Sequence, residues 1–274
     1  MCLIVIAYKC CPGHDLVVAA NRDEFRARPA CPAHWWPEQP GLLAGRDLEA
    51  GGTWLGMTRG GRFAALTNFR DPTRHRPGTP SRGALVRDCL LDTADTLDTL
   101  HALARRSAGY SGFNLFVYDG HTLGIHESIT GAVRALQPGV YALSNHLLDT
   151  DWPKVARARA GFERALRHVD DTPASFQSRM LEVLRDGRAA PDHALPETGV
   201  SLEWERRLSP VFIDTPEYGT RCSTLITLRS DGWVRFAEWT WDDTHPAASQ
   251  DRDTAKRGGL AAPVLHEFRA TTRP

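Results

Sequence analysis

Short apolar runs at 3–7 and 16–20 open the chain, and the Cys11-Pro12-Gly13-His14 segment between them has the composition of a tight turn. Two such runs around such a turn read as a hairpin with strands at 2–8 and 15–20. Further strands are expected at 53–58 and 62–68, joined by Thr58-Arg59-Gly60-Gly61. The period then changes. Helices are expected at 81–91 and 95–106, where Leu97, Leu100, Leu103 and Ala104 recur at helical spacing. Strands resume at 113–118, 123–127, 132–136 and 141–144, with Asp119-Gly120 and Pro138-Gly139 as turns. Asp151 is placed to cap a helix that carries Pro153 in its first turn and runs to about 169, and a second helix spans about 174–185. Strands at 223–228 and 233–241 flank Ser230-Asp231-Gly232. The Pro- and Trp-rich stretch 28–40 reads as a loop over the sheet edge, suited to a lid. The polar tail after Asp242 reads as loose.

Strand block, helix pair, strand block, helix pair and strand pair is the order of an α+β layered fold, in which helices cover antiparallel sheets. No linker divides the 274 residues, so a single domain is expected over 1–274, with a flexible tail from about 243. Acidic and basic residues balance at 33 each and form no basic block, which argues against nucleic acid or an anionic membrane as the main partner. The apolar run at 3–8 is too short to span a bilayer or to serve as a secretory leader. Six cysteines at the irregular positions 2, 10, 11, 31, 89 and 222 do not make a disulfide framework and fit a reducing cytoplasm. Phosphate-loop, zinc-protease and serine-elbow motifs are missing. Oligomeric state is not encoded in any of these patterns.

The residue with the most chemistry is Cys2. Once the initiator Met is removed, its thiol and α-amine share one Cα, and with reference pKa values near ~8.5 and ~8 the amine can take the thiol's proton. The hairpin folds Asn21-Arg22-Asp23-Glu24 back beside it. At these residues the chain resembles the NRDE family, also called the transport and Golgi organisation protein 2 family. That family is itself similar to the N-terminal nucleophile (Ntn) hydrolases that include bile salt hydrolases and penicillin V acylases. The resemblance continues through Gly51-Gly52-Thr53-Trp54-Leu55-Gly56, Leu66-Thr67-Asn68-Phe69-Arg70-Asp71, Leu143-Ser144-Asn145-His146 and Tyr218-Gly219-Thr220-Arg221-Cys222-Ser223-Thr224, from residue 1 to about 240. It implies a four-layer αββα sandwich.

The same resemblance implies roles for individual residues. Asp23 matches the aspartate that lies against the nucleophile, and its carboxylate suits an α-amine in need of orientation. Asn68 and Asn145 match asparagines that build the oxyanion site; each follows an apolar strand, where a neutral donor can meet developing charge. Arg221 matches an arginine near the nucleophile, where it would favour the thiolate and pair with Asp23. Bile salt hydrolases carry Arg directly before the motif asparagine, but this chain has Ala20 there and Arg22 two positions on. Both positions face the same way on a strand, so Arg22 is expected to substitute. Asn21, Arg22 and Trp54 are the expected substrate-binding residues, with Trp35 and Trp36 as further candidates for an apolar wall.

Two functions fit this pattern. The first is an Ntn-type hydrolase or acyltransferase that cleaves a linear amide or thioester and uses no cofactor. The second is a non-catalytic carrier that holds haem or an acyl-CoA in the same cleft, since animal members of the family are linked to haem handling and acyl-CoA metabolism. The repeated Cys-Pro-x-His segments at 11–14 and 31–34 bear on the second, through a cysteine-haem contact or a zinc site.

Overall fold

A computed structural model of the chain describes residues 2–74, 78–241 and 262–271. β1 (Cys2–Cys11) and β2 (His14–Phe25) form the expected hairpin, turned at Gly13, whose φ of 67° suits a residue without a side chain. Their register pairs Cys2 with Arg22 and Leu3 with Asn21, so β2 runs on past residue 20 and carries the whole Asn21–Asp23 motif on strand.

Two antiparallel sheets follow. The second sheet is a meander in chain order: β3 (Ala30–Trp36), β4 (Gln39–Asp47), β5 (Leu55–Thr58), β6 (Phe63–Asn68), β7 (Phe113–Tyr118), β8 (Leu123–Glu127) and β9 (Ala132–Ala135). The first sheet has the order β10 (Gly139–Leu143), β1, β2, β11 (Tyr218–Arg229), β12 (Trp233–Thr240) and β13 (Val264–Arg269). Period-two alternation sorts the side chains of β1 between two layers. Ile4, Ile6 and Tyr8 point between the sheets and meet Met57, Phe63, Phe116 and Ile125 of the second sheet. Leu3, Val5 and Ala7 point outward, under α3 (Pro153–Leu166) and α4 (Pro173–Leu184), against Val155, Phe162 and Met180. On the other side α1 (Gly83–Leu91) and α2 (Thr96–Ala104) bury Leu85, Val86, Leu100 and Leu103 against Leu42, Ala64, Leu115 and Val117. The result is the four-layer αββα sandwich with antiparallel sheets.

Two expectations are corrected. The stretch 28–40 is not a loop or lid, because β3 and the start of β4 occupy it. Pro32 is tolerated there because β3 is an edge strand whose register shifts between Cys31 and His34. The tail is not loose throughout: residues 264–269 form β13, and Phe268 packs edge-on to Trp35 across the sandwich at 5.1 Å. The rest of the polar tail, 242–261, lies outside the described residues. An unanticipated helix, α5 (Leu202–Leu208), starts at Ser201, whose side chain accepts from the Trp204 N–H. Glu203 and Glu205 lie in its first turn and Arg206 and Arg207 in its last, the signs that suit the helix dipole.

Candidate active site

Cys2 is the first described residue of β1, flanked by β2 on one side and β10 on the other. In the β1–β10 register Ile4 faces Leu143, the last residue of β10, and Asn145 follows two positions on. Ser144, between them, sets its hydroxyl 3.2 Å from both the Cys2 carbonyl and Asn145 Oδ1. Asn145 is fully buried, and its Nδ2 donates to the Asn68 carbonyl at 3.0 Å, while the Arg70 N–H donates to the Asn145 carbonyl at 2.7 Å. The ends of β6 and β10 are thus clasped to each other beside the start of β1. Cys2, Asn68 and Asn145 share one end of the sandwich, with Asn68 only half-buried.

Asp23 stands at the same end, 1% exposed. Its Oδ1 accepts from the Thr220 hydroxyl at 2.7 Å, and its carbonyl accepts from Tyr218 Oη at 2.9 Å. Burial pushes the Asp23 carboxyl above the usual range, and the positive charge of Lys154 is foremost among the influences pulling it back. Burial also pushes the Cys2 thiol up, reinforced by the Asp23 charge and opposed by Arg22 and by the Asp23 N–H that bonds the sulfur.

The expected substrate-binding residues divide. Arg22 and Trp54 are together: the Arg22 guanidinium lies over the Trp54 ring at 4.3 Å and reaches Asp47 at 3.4 Å. Its Nη1 is buried with no hydrogen-bond partner among the described residues. The Trp54 ring in turn lies on Gly45, where a Cβ would come within 2.4 Å of it. Gly52 is required for a similar reason, since a Cβ there would sit 2.4 Å from the Gly83 backbone at the start of α1. Arg82, just before α1, is half-buried, and its Nη1 donates to the Gly112 carbonyl at 3.1 Å.

Asn21 belongs elsewhere. It points to the helical layer, where its amide donates to the Leu184 and Val211 carbonyls at 2.8 and 2.9 Å and accepts from Ser223 at 2.6 Å. With donors and acceptor committed, Asn21 is a brace between β2 and α4, not a ligand contact. Arg221 sits on a bulge of β11 between Thr220 and Cys222, and the bulge turns its guanidinium to the Arg26 carbonyl at 2.8 Å. Trp36 is buried under the α1–α2 layer, and Trp35 packs on Phe268. The two Cys-Pro-x-His segments lie on different sheets, and each histidine Nδ1 approaches its own proline carbonyl, at 3.0 Å for His14 and 2.8 Å for His34. Neither ring nitrogen is turned to a shared centre, and among the described residues no three metal-ligating side chains converge.

Lys154, Arg70 and Glu205 escaped the sequence reading. Arg70 and Glu205 form an ion pair at 2.7 Å, each 4% exposed at the side chain, and Arg70 stacks on Trp152 at 4.7 Å. Lys154 is 2% exposed in the first turn of α3. A signal existed: it is one of three lysines in a chain whose 33 basic residues are otherwise arginine, and it falls in step with apolar Ala158 and Phe162. Next to this cluster a cavity of about 630 Å³ is lined by Phe69, Arg70, His146 and Trp152, the residues that follow Asn68 and Asn145 in the chain.

Fold and site together define a four-layer αββα protein whose polar centre gathers at one sheet end around a cysteine near the start of the chain. The family model for Transport and Golgi organisation 2 matches residues 1–243, and the chain belongs to that family. It is 35% identical over 262 residues to the Bos taurus Transport and Golgi organization protein 2 homolog, covering 87% of this chain and 92% of that one. Against the Drosophila melanogaster Transport and Golgi organization protein 2 the identity is 25% over 277 residues, covering 89% and 97%. Among solved structures, a Caenorhabditis elegans N-acylethanolamine-hydrolyzing acid amidase ortholog aligns with a TM-score of 0.45 at 12% identity, covering 82% of this chain and 92% of that one. At that score the likeness carries no weight on activity. No helix among the described residues is long and apolar enough to cross a membrane.

Proposed function

We propose that the chain is an N-terminal nucleophile hydrolase or acyltransferase acting, in the cytoplasm, on a linear amide or thioester. The observation that supports this reading above others is the clasp in which Asn145 donates to the Asn68 carbonyl while its neighbour Ser144 donates to the Cys2 carbonyl. Three residues far apart in sequence come to one end of the sandwich, which supports an acyl transfer there.

In the proposed reaction the Cys2 α-amine, freed by removal of Met1, takes the thiol proton, and the thiolate attacks the substrate carbonyl carbon. The oxyanion accepts from the Asn68 and Asn145 amides. Each neutral donor aimed at such a charge is typically worth a hundredfold or more in rate. Collapse breaks the C–N or C–S bond, and the leaving group takes the proton back from the ammonium, leaving a thioester on Cys2. Water, or an acceptor amine, then attacks that thioester with the amine again as base. Asp23 orients the ammonium. Arg22, held on Trp54 with a free Nη1, receives an anionic group of the substrate.

Intact mass of tag-free protein should be lower by one methionine residue, and a panel of N-acyl amino acids and acyl-CoAs should contain a substrate. Inserting Ala between Met1 and Cys2 should abolish turnover and slow alkylation of Cys2. Retained Met1, or an insertion variant as active as the parent, would sink the reading. Saturable haemin or acyl-CoA binding without turnover would instead make the chain a carrier.

A further inference from the structure

We propose that the cavity of about 630 Å³ beside the Asn68–Asn145 clasp binds a primary amine carried on an apolar stem, with His146 Nε2 accepting a hydrogen bond from its ammonium group. The inference rests on the nucleophile reading above for its purpose alone, since it names a group that the substrate or acyl acceptor places past the clasp.

The cavity opens where two strands of the site end. Phe69 follows Asn68 at the end of β6, and His146 follows Asn145 beyond β10, so residues adjoining the proposed oxyanion donors line it. Its volume is that of a small-molecule site. His146 is firmly held there. Its carbonyl accepts from the Nδ2 of fully buried Asn114 at 2.7 Å. Its ring packs on Phe69 at 5.0 Å and on Trp152 at 5.7 Å, with tilts of 35° and 38°, so these contacts are made through ring faces more than edges.

Hydrogen accounting fixes the tautomer. His146 Nδ1 stands 2.9 Å from the Thr150 hydroxyl, which also reaches the Leu147 carbonyl at 2.8 Å and can only donate to it. A threonine hydroxyl has one hydrogen, so both contacts are hydrogen bonds only when Nδ1 carries the imidazole hydrogen and donates it to Thr150. Nε2 is then the lone-pair nitrogen. It has no bond among the described residues and is not sealed from solvent. Burial holds the imidazole below its ordinary range, against the pull of the Glu127 charge, so the ring is neutral near pH 7.

The rest of the lining selects the donor. Arg70 is paired with Glu205 at 2.7 Å and Arg74 with Asp71 at 2.9 Å. Asp151 and Glu197, both exposed, form no ion pair among the described residues and are the uncompensated charges of the cavity. A carboxylate would meet two like charges and a nitrogen without hydrogen. An ammonium meets two opposite charges and an acceptor. Ile129, Leu195 and Pro196 supply the apolar contact for its stem.

Benzylamine is the probe, compared with benzyltrimethylammonium, which keeps the ring and the charge but has no N–H, and with benzoate. Proton–nitrogen NMR of isotope-labelled protein, with the His146 signals identified by their loss in His146→Phe, should show hydrogen on Nδ1 and none on Nε2 at neutral pH. Benzylamine should shift the Nε2 signal and bind roughly 10-fold or more tighter than benzyltrimethylammonium, the worth of one hydrogen bond to a charged group, with benzoate weaker still. His146→Phe keeps a ring against Phe69 and Trp152 and should bind the two ammonium ions equally. Acidification through the imidazole's lowered range should remove the preference, because a protonated Nε2 no longer accepts. If His146→Phe does not fold, the tautomer, the ammonium pair and the pH dependence of the parent carry the test. Hydrogen on Nε2, equal binding of the two ammonium ions by the parent, or a preference that survives in His146→Phe would overturn the proposal. Amide turnover without this preference refutes the amine site alone, and the preference in a protein that retains Met1 refutes the nucleophile reading alone.

Discussion

Two buried cations in this molecule are treated in opposite ways. Arg62, between β5 and β6, is 8% exposed, and its guanidinium donates to the Cys89 carbonyl at 2.6 Å, the Ala94 carbonyl at 2.7 Å and the Thr99 hydroxyl at 2.7 Å. It ties the α1–α2 connection to the second sheet and faces neutral groups alone in these bonds. Lys154, in the first turn of α3, makes no hydrogen bond through its Nζ among the described residues. The contrast separates a cation tied into the fold by hydrogen bonds from one that is buried without them. Satisfied polar groups specify structure, and an unsatisfied one in a polar cluster marks function.

The largest expected effect falls on the centre. Asn145→Ala should lower kcat by about 100-fold or more, and it should also cost roughly 1–3 kcal/mol, because the Asn68 carbonyl loses its buried donor. Asn68→Ala should lower kcat as much while costing under ~1 kcal/mol, since Asn68 is half-exposed. Steady-state rates beside urea melts separate the two, and equal losses of stability in both would make them turn residues. Next, Arg62→Met should destabilise by about 3–5 kcal/mol, leaving two carbonyls and a hydroxyl without donors, while Cys2 alkylation in the folded protein stays at the parent rate. A change in that rate would blur the distinction between the two cations.

A smaller effect should come from Glu238, 1% exposed between the sheets, whose carboxylate accepts from the Ala33 N–H at 2.7 Å and from Thr224 at 3.1 Å. Burial holds its carboxyl above the usual range, so stability is full below the unfolded-state pKa and is lost as pH rises through the folded one. Glu238→Gln should accordingly raise the melting temperature by a few degrees at pH 7, and the gain should vanish toward pH 4. The smallest effect is a control. Cys89, pushed up to about 12 by burial, should stay unalkylated at pH 7 in the folded protein, and Cys89→Ala should leave turnover unchanged.

Much of this was legible in the chain, and the limits have physical causes. Period-two runs and proline-glycine turns located β1, β2 and the strands of 113–144, because those segments bury alternate residues and turn tightly. Edge strands β3 and β13 were missed because only some of their residues are buried, which leaves a weak pattern. Cys2, Asp23, Asn68 and Asn145 were picked as candidates from motifs at strand ends, and the structure brings them to one end of the sandwich. Lys154, Arg70 and Glu205 were not, because their meeting depends on how α3 and α5 pack on the sheet end, which local pattern does not record. Asn21 shows the converse, since a motif residue can serve the scaffold.

β13 lies beyond residue 243, where the family match ends, yet it completes the first sheet by pairing with β12 from Trp233↔Arg269 to Glu238↔Val264. Without it β12 would present a bare row of amides and carbonyls, a template for pairing with another chain. A chain cut after 243 would keep Cys2, Asp23, Asn68 and Asn145 and lose its guard against self-association. The appended strand thus bears on how concentrated this protein can become before it sticks to itself.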